Sequence, residues 1–236
     1  KQSVQFYKTT QGAFDITIAP VSSQWDFTSE DPVLPDDDAI KAALPLISYQ
    51  NIVLDEKTQS VSLKDPNSAI DLGAIAKGYI ADKLKEYLAG EGVTSAIIDL
   101  GGNILTVGEK LDGSDFCVGI KEPFSKTGEV AAAVYVKDKS VVTSGTYQRC
   151  FTLDGTLYHH ILDPCTGYPV NTDLNSVTII SGHSVDGDAL STTCMLLGMD
   201  KGLTLIEGLP DTEAIFITTD NALVYSSGMD AYLASP

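Results

Sequence analysis

The order of apolar and polar residues predicts many strands and few helices. The clearest helical pattern covers 74–88, where apolar residues recur on one face before Gly90-Glu91-Gly92 ends the run. Other predicted helices lie at 39–44, at 201–207 and at 188–197, the last closed by Gly198. Predicted strands lie at 49–54, 60–63, 95–100, 103–107, 116–120, 131–136, 140–143, 176–181, 213–218 and 222–226. Because strands and helices do not alternate strictly, the pattern predicts an α+β fold with mixed or antiparallel sheets rather than a doubly wound sheet.

Length and composition predict an ordered globular chain. With 236 residues, of which 43% are hydrophobic, the chain can bury a core, and we expect one compact domain over 1–236. The net charge of −17 argues against nucleic acid and against an anionic membrane surface as partners. No apolar run approaches the ~18 residues of a membrane span. A phosphate-bearing ligand would therefore need local positive charge, a cation or a helix N-terminus.

The four cysteines favour free thiols over a zinc site. Cys117, Cys150, Cys165 and Cys194 form no CxxC or CxxH spacing. Their separation permits disulfides without requiring them. Free, buried or half-buried thiols are the preferred interpretation.

Asp188 and Thr192 form a candidate metal site. At positions i and i+4 of a predicted helix, their oxygens face the same side. Carboxylate and hydroxyl oxygens suit Mg²⁺, which completes its shell with water and substrate phosphate. The structural alternative is that Asp186 or Asp188 caps the helix and that Thr192 bonds back to a main-chain carbonyl.

The segment from Gly73 to Lys77 is a candidate phosphate site. Gly73 and Ala74 come where an apolar segment enters the long predicted helix, and main-chain N–H groups in a first helical turn attract anions. Lys77 would place positive charge at the positive end of the helix dipole, which a bound phosphate would offset. A solvated lysine is the alternative.

His160 is a candidate general base. Adjacent histidines point in different directions on an extended backbone, so only one of His159 and His160 should face a given cleft. Asp163 lies three residues after His160, close enough to orient the imidazole. A structural histidine is the alternative. Ser144 and Gly145 end a predicted strand in a polar turn that could donate hydrogen bonds to a ligand.

Six motifs in order resemble those of the FAD:protein FMN transferases, the ApbE-type flavin transferases. They are GAFDIT (12–17), DLGAIAKGY (71–79), DLGGNILTVG (99–108), TSGTYQR (143–149), HHILDPCTGYPV (159–170) and DALSTT (188–193). The family usually carries further sequence before the first motif. The chain begins without signal-peptide architecture, so we expect a trimmed chain that lacks an N-terminal segment.

The resemblance implies an activity and a set of site residues. Family members bind FAD and Mg²⁺, pass FMN to a Thr or Ser hydroxyl of a partner flavoprotein as a phosphoester, and release AMP. An ApbE-like, T-fold-like architecture is implied, as is an extracytoplasmic location with membrane contact only through an N-terminal anchor. By motif, the metal ligands are Asp188, Thr192 and the Ala74 carbonyl, and His160 activates the acceptor hydroxyl. Residues implied to bind the flavin nucleotide are Asp71, Gly73, Lys77, Tyr79, Gly101, Gly102, Ser144, Gly145, His160, Thr166 and Gly167.

Two other functions stay open from the sequence. A Mg²⁺-dependent FAD pyrophosphatase would use the same diphosphate and differ only in that water attacks. A non-catalytic flavin-binding or storage module would keep FAD intact.

Overall fold

The structure is a computed structural model that describes residues 1–233. The chain divides into two compact units, each assembled from two stretches of sequence. The first unit contains 1–74 and 148–171, and the second contains 75–147 and the chain from Thr172 onward. The expectation of one domain over 1–236 stays a prediction.

The second unit is built on a six-stranded sheet of β3 (Ser95–Asp99), β4 (Asn103–Gly108), β7 (Ser140–Gly145), β10 (Leu174–Ser181), β11 (Thr212–Thr218) and β12 (Leu223–Tyr225). The strand order is β12-β11-β10-β7-β4-β3, and its pairings are all antiparallel. The central strand β10 is buried along its whole length, although half of its residues are polar. A separate hairpin pairs β5 (Phe116–Lys121) with β6 (Val130–Val136).

Three helices complete the second unit: α4 (Ala76–Gly90), α5 (Ser184–Leu197) and α6 (Met199–Glu207). Helix α5 contacts α4, α6 and strands β4, β7 and β10. Because neighbours cover α5 on several sides, its small residues and even Asp188 are buried. The buried polar groups of α5 must therefore find their partners within the protein or in a bound ligand.

The first unit holds short helices and two small hairpins around an aromatic core. Trp25 stacks on Phe27 with ring centroids 5.2 Å apart and donates its indole N–H to the Gly167 carbonyl at 2.9 Å. The helices are α1 (Gln2–Thr9), α2 (Ala19–Ser22) and α3 (Asp37–Ala43). The hairpins pair β1 (Ile52–Asp55) with β2 (Ser60–Leu63), and β8 (Cys150–Leu153) with β9 (Thr156–His159).

The fold confirms the α+β prediction and corrects several boundaries. The helix predicted at 74–88 is α4, and the one predicted at 188–197 begins earlier, at Ser184. Helix α1 and the β8–β9 hairpin were missing from the sequence prediction. All four cysteines are free thiols, as predicted, but Cys117 and Cys165 are exposed, where buried or half-buried side chains were expected. Among residues 1–233, no helix has the length and apolar character needed to cross a membrane.

Candidate functional site

Asp188 is a buried carboxylate in the middle of α5, only 3% exposed. Its Oδ2 accepts the main-chain N–H of Gly78 at 2.9 Å, and the Lys77 Nζ lies 3.9 Å from its Oδ1. Lys77 itself is partly open to solvent. The structure therefore brings together Asp188 and Lys77, two residues predicted for the metal and the nucleotide, at the start of α4.

The pKa of Asp188 is raised from the ordinary aspartate value. Burial is the largest cause, while the Gly78 N–H, Lys77 and the Asn103 side chain act in the opposite direction. These three groups offset only part of the cost of burying the charge. A cation beside the free oxygen sites would stabilise the ionised form further.

Gly78 permits the close approach of α4 and α5. A Cβ built at this position would lie 2.6 Å from the Ser184 carbonyl carbon and 2.6 Å from the Val185 Cα, with the Ser184 oxygen nearer still. Only glycine fits such an approach without a shift of the backbone. The N–H that Gly78 presents at the start of α4 binds Asp188. The N-terminus of α4 thus binds a carboxylate of the protein itself. The sequence had suggested a phosphate there.

A second carboxylate on α4 caps α5. The Asp82 Oδ1 accepts the N–H of Ser184 at 2.7 Å, and its Oδ2 accepts the N–H of Val185 at 3.0 Å. The N-cap residue of α5 is His183, whose side chain makes no capping bond. The suggestion that Asp186 or Asp188 caps this helix is therefore wrong, because the helix begins too early for either residue.

Thr192 belongs to a cluster of hydroxyl groups. The Ser144 Oγ, at the end of β7, lies 3.2 Å from the Thr192 Oγ1 and 2.8 Å from the Ser191 Oγ. The hydroxyls that bond back to the helix are those of Ser191, which donates to the Asp188 carbonyl at 3.1 Å, and Thr193, which donates to the Ala189 carbonyl at 2.8 Å. Ser144 and Thr192, predicted for nucleotide and metal respectively, are thus neighbours.

The remaining predicted glycines of this unit lie in two tight segments. Gly101 and Gly102 both have positive φ, and both N–H groups point to the Asp99 Oδ1, at 2.9 and 3.4 Å. A Cβ on either glycine would meet nothing within 4 Å, so their conformation rather than crowding selects glycine. Gly145 is different, because a Cβ there would lie 3.1 Å from the Asn175 carbonyl oxygen. Tyr79 is exposed on α4, with the Lys83 Nζ 5.7 Å from its ring centroid.

In the first unit, the two adjacent histidines differ in burial. His159 is 5% exposed, and burial lowers its pKa, so it is a neutral core residue. His160 is half-buried, and its main-chain N–H donates to the Arg149 carbonyl at 3.0 Å. The Asp163 Oδ1 accepts the N–H of Cys165 at 2.8 Å. His160 is the more exposed of the pair, and its role as a general base stays a prediction.

The other predicted residues of the first unit shape turns. Asp71 accepts the Ser22 hydroxyl and the Gly73 N–H, both at 2.8 Å, just before Ala74 ends this unit. Gly167 is buried with a φ of +76°, and a Cβ there would lie 2.6 Å from Ile40 Cγ2. Thr166 is exposed.

The donor set fits a hard cation. Within residues 1–233, no cluster of three or more His, Cys, Asp or Glu side chains could hold a metal. Mg²⁺ does not need such a cluster, because it takes one or two carboxylates and fills its remaining positions with other oxygens and water. A buried carboxylate beside hydroxyl groups, with incomplete compensation of its charge, is of that kind.

The chain belongs to the ApbE family, whose model matches residues 1–216. A FAD:protein FMN transferase of Klebsiella pneumoniae is 42% identical over 215 residues, covering 91% of this chain and 66% of the relative. The Treponema pallidum FAD:protein FMN transferase is 36% identical over 242 residues, covering 97% of this chain and 67% of the relative. A crystal structure of the ApbE protein from Thermotoga maritima superposes with a TM-score of 0.89 at 32% identity, covering 99% of this chain and 76% of that one. The chain thus spans about two thirds of the length of these curated relatives.

Sequence reasoning missed three residues at the start of α5: Asp82, Asn103 and Ser184. Asp82 lies inside a helical pattern, where an acidic residue normally indicates a solvated face. Asn103 and Ser184 stand at the first positions of β4 and α5, and only the tertiary fold brings them together. Asn103 follows Gly101-Gly102 directly, which was the one available signal.

Proposed function

We propose that this chain is the catalytic part of a Mg²⁺-dependent FAD:protein FMN transferase. Membership of the ApbE family and the printed names of the relatives support the reaction class. The observation that carries the proposal within the structure is the buried Asp188 carboxylate, held by Gly78 and Lys77. Burying an acid among so few compensating groups is costly unless a cation shares it.

Asp188 and Thr192 are the proposed side-chain ligands of Mg²⁺, and the family motif adds the Ala74 carbonyl. All three are hard oxygen donors. When bound, Mg²⁺ would neutralise charge on the FAD diphosphate and make its phosphorus more electrophilic. Lys77 adds a second positive charge beside Asp188, in a chain whose net charge of −17 would otherwise repel the diphosphate.

His160 is the proposed general base. It takes the proton of the acceptor Thr or Ser hydroxyl as that oxygen forms a bond to the FMN phosphorus. The bond between this phosphorus and the bridging oxygen breaks, and AMP leaves with the bridging oxygen. Because His160 is only half-buried, its imidazole is accessible to an acceptor hydroxyl, whereas the neighbouring His159 is buried.

The test is incubation with FAD and MgCl₂, with and without a threonine-containing acceptor peptide. A peptide mass gain of one FMN together with AMP supports transfer. Release of AMP and FMN at the same rate without any peptide labelling would establish a pyrophosphatase instead, and intact bound FAD a storage protein. Chelation by EDTA should stop the reaction, and activity without a divalent cation would refute the metal.

Two matched pairs of variants test the residues. Asp188→Asn should abolish metal-dependent turnover, whereas Asp186→Asn on the same helix should retain it. His160→Gln should slow transfer far more than it weakens FAD binding, while the same change at buried His159 should act through stability. Equal loss of FAD affinity and rate in His160→Gln would assign that residue to binding.

A further inference from the structure

Asn103 is a wholly buried amide with one satisfied end. Its Oδ1 accepts the hydroxyl of Ser184 at 2.7 Å, and the Ser184 Oγ in turn accepts the hydroxyl of Ser140 at 2.9 Å. The side chain is 0% exposed. Since the Oδ1 is committed to Ser184, the orientation of the amide is set and its N–H₂ group points away from that serine.

The amide nitrogen of Asn103 has no hydrogen-bond partner among the described residues. Buried donors are rarely left in that state, so an unpaired one at a candidate site calls for an explanation. Ser184 and Asp188 stand at i and i+4 of α5 and therefore share one face of the helix. An amide that binds the first of these residues lies next to the second.

A further contact fixes this arrangement. Asn103 pairs with Val142 across the β4–β7 ladder, and Val142 is so close to α5 that a Cβ on Gly187 would lie 2.9 Å from its Cγ2. The sheet thus holds Asn103 against the turn of α5 that carries Asp188.

We infer that Asn103 is a positioning residue for Asp188: its free N–H₂ donates to the carboxylate in the metal-loaded protein and fixes the carboxylate plane. The Gly78 N–H holds Oδ2 from the α4 side, and Asn103 restrains the group from the β4 side. The remaining lone pairs of Asp188 are then directed to the cation. This inference rests on the proposed function, in which Asp188 binds the metal. Hydrogen-bond partners of this kind typically change metal affinity by about 10–100-fold.

The test measures Mn²⁺ binding to the purified chain without FAD, from the electron paramagnetic resonance signal of free Mn²⁺. Asn103→Leu keeps most of the volume but removes the donor, and we expect affinity to fall about 10–100-fold. Asn103→Ala removes the donor without any steric conflict and should show the same loss. Ser184→Ala leaves the donor in place but removes the bond that orients it. It should therefore lower the melting temperature and weaken Mn²⁺ binding clearly less than the Asn103 variants do.

Each outcome decides the inference. Parent-like Mn²⁺ affinity in Asn103→Leu and Asn103→Ala overturns it. So does an equal loss in Ser184→Ala, because that result indicates packing rather than donation. Asp188→Asn separates metal binding by Asp188 from positioning by Asn103. If Asp188→Asn loses Mn²⁺ while the Asn103 variants keep it, only the positioning role fails. If Asp188→Asn binds Mn²⁺ like the parent, the metal assignment fails and the positioning role falls with it.

Discussion

Gly78→Ala tests whether the contact between α4 and α5 holds the site together. The added Cβ would lie 2.6 Å from two backbone atoms of α5, whereas ordinary van der Waals contact begins at 3.4 Å. Backbone cannot rotate away as a flexible side chain can. The helices must therefore separate by at least about 0.8 Å at this point, the difference between those two distances, and by more to clear the nearer Ser184 carbonyl oxygen. The same movement stretches the hydrogen bond from the Gly78 N–H to Asp188, now 2.9 Å long.

The expected destabilisation is about 2–4 kcal/mol. Overpacking costs about 1–3 kcal/mol. Complete loss of a buried hydrogen bond to a charged group costs about 1.5–3 kcal/mol more, and weakening it costs part of that. Against this, replacing glycine by alanine inside a helix contributes about 1 kcal/mol of stabilisation. In a chain of this size, the net effect should lower the melting temperature by about 5–15 °C.

Thermal melting followed by circular dichroism measures this, and Gly90→Ala is the matched control. Gly90 is the last residue of the same helix, and a Cβ there would meet nothing within 4 Å. The Gly90→Ala protein should melt at or slightly above the temperature of the parent. Mn²⁺ affinity should fall in Gly78→Ala alone, because only that change displaces the α4 start from Asp188. A Gly78→Ala protein that melts within about 2 °C of the parent would refute the rigid contact described here.

Three further outcomes follow from single contacts. Asp82→Asn should lower stability by about 1–2 kcal/mol in chemical denaturation, because it weakens the cap of α5, and unchanged stability would contradict that role. Thr192→Val should weaken Mn²⁺ binding while Thr193→Val, which loses only a bond to the helix, should not; equal effects would remove Thr192 from the metal site. The hydrogen bond to Asp37 raises the pKa of Tyr168 to about 12. The hydrogen bond therefore stabilises the folded protein below the ordinary tyrosine pKa of 10.0, and this stabilisation is lost as pH rises towards 12. Tyr168→Phe should remove the highest step of the phenolate absorbance titration.

Much of the fold follows from local pattern. The buried strand at Leu174–Ser181 and the helix at Ala76–Gly90 have sequences whose periodicity and terminating glycines identify them directly. Helix α1 was not predicted because it has only eight residues and none of them is fully buried, so its apolar pattern is too short to identify. The start of α5 at Ser184 was not predicted from the sequence for another reason. Its cap comes from Asp82, which is 102 residues away in sequence, and no local residue marks the boundary.

Each of the two helices at the candidate site, α4 and α5, binds a carboxylate of the other with its N-terminal N–H groups. Asp82 of α4 binds the first N–H groups of α5, and Asp188 of α5 binds an N–H in the first turn of α4. Each acid therefore meets the positive end of the other helix's dipole, which a sequence pattern cannot reveal because each acid lies inside its own helix. This reciprocal binding also links the site to stability, since the carboxylate proposed to bind the cation is already part of the α4–α5 contact. A neutral isostere at Asp188 keeps an acceptor for the Gly78 N–H, so loss of metal binding in Asp188→Asn with little loss of stability would separate these two roles of one side chain.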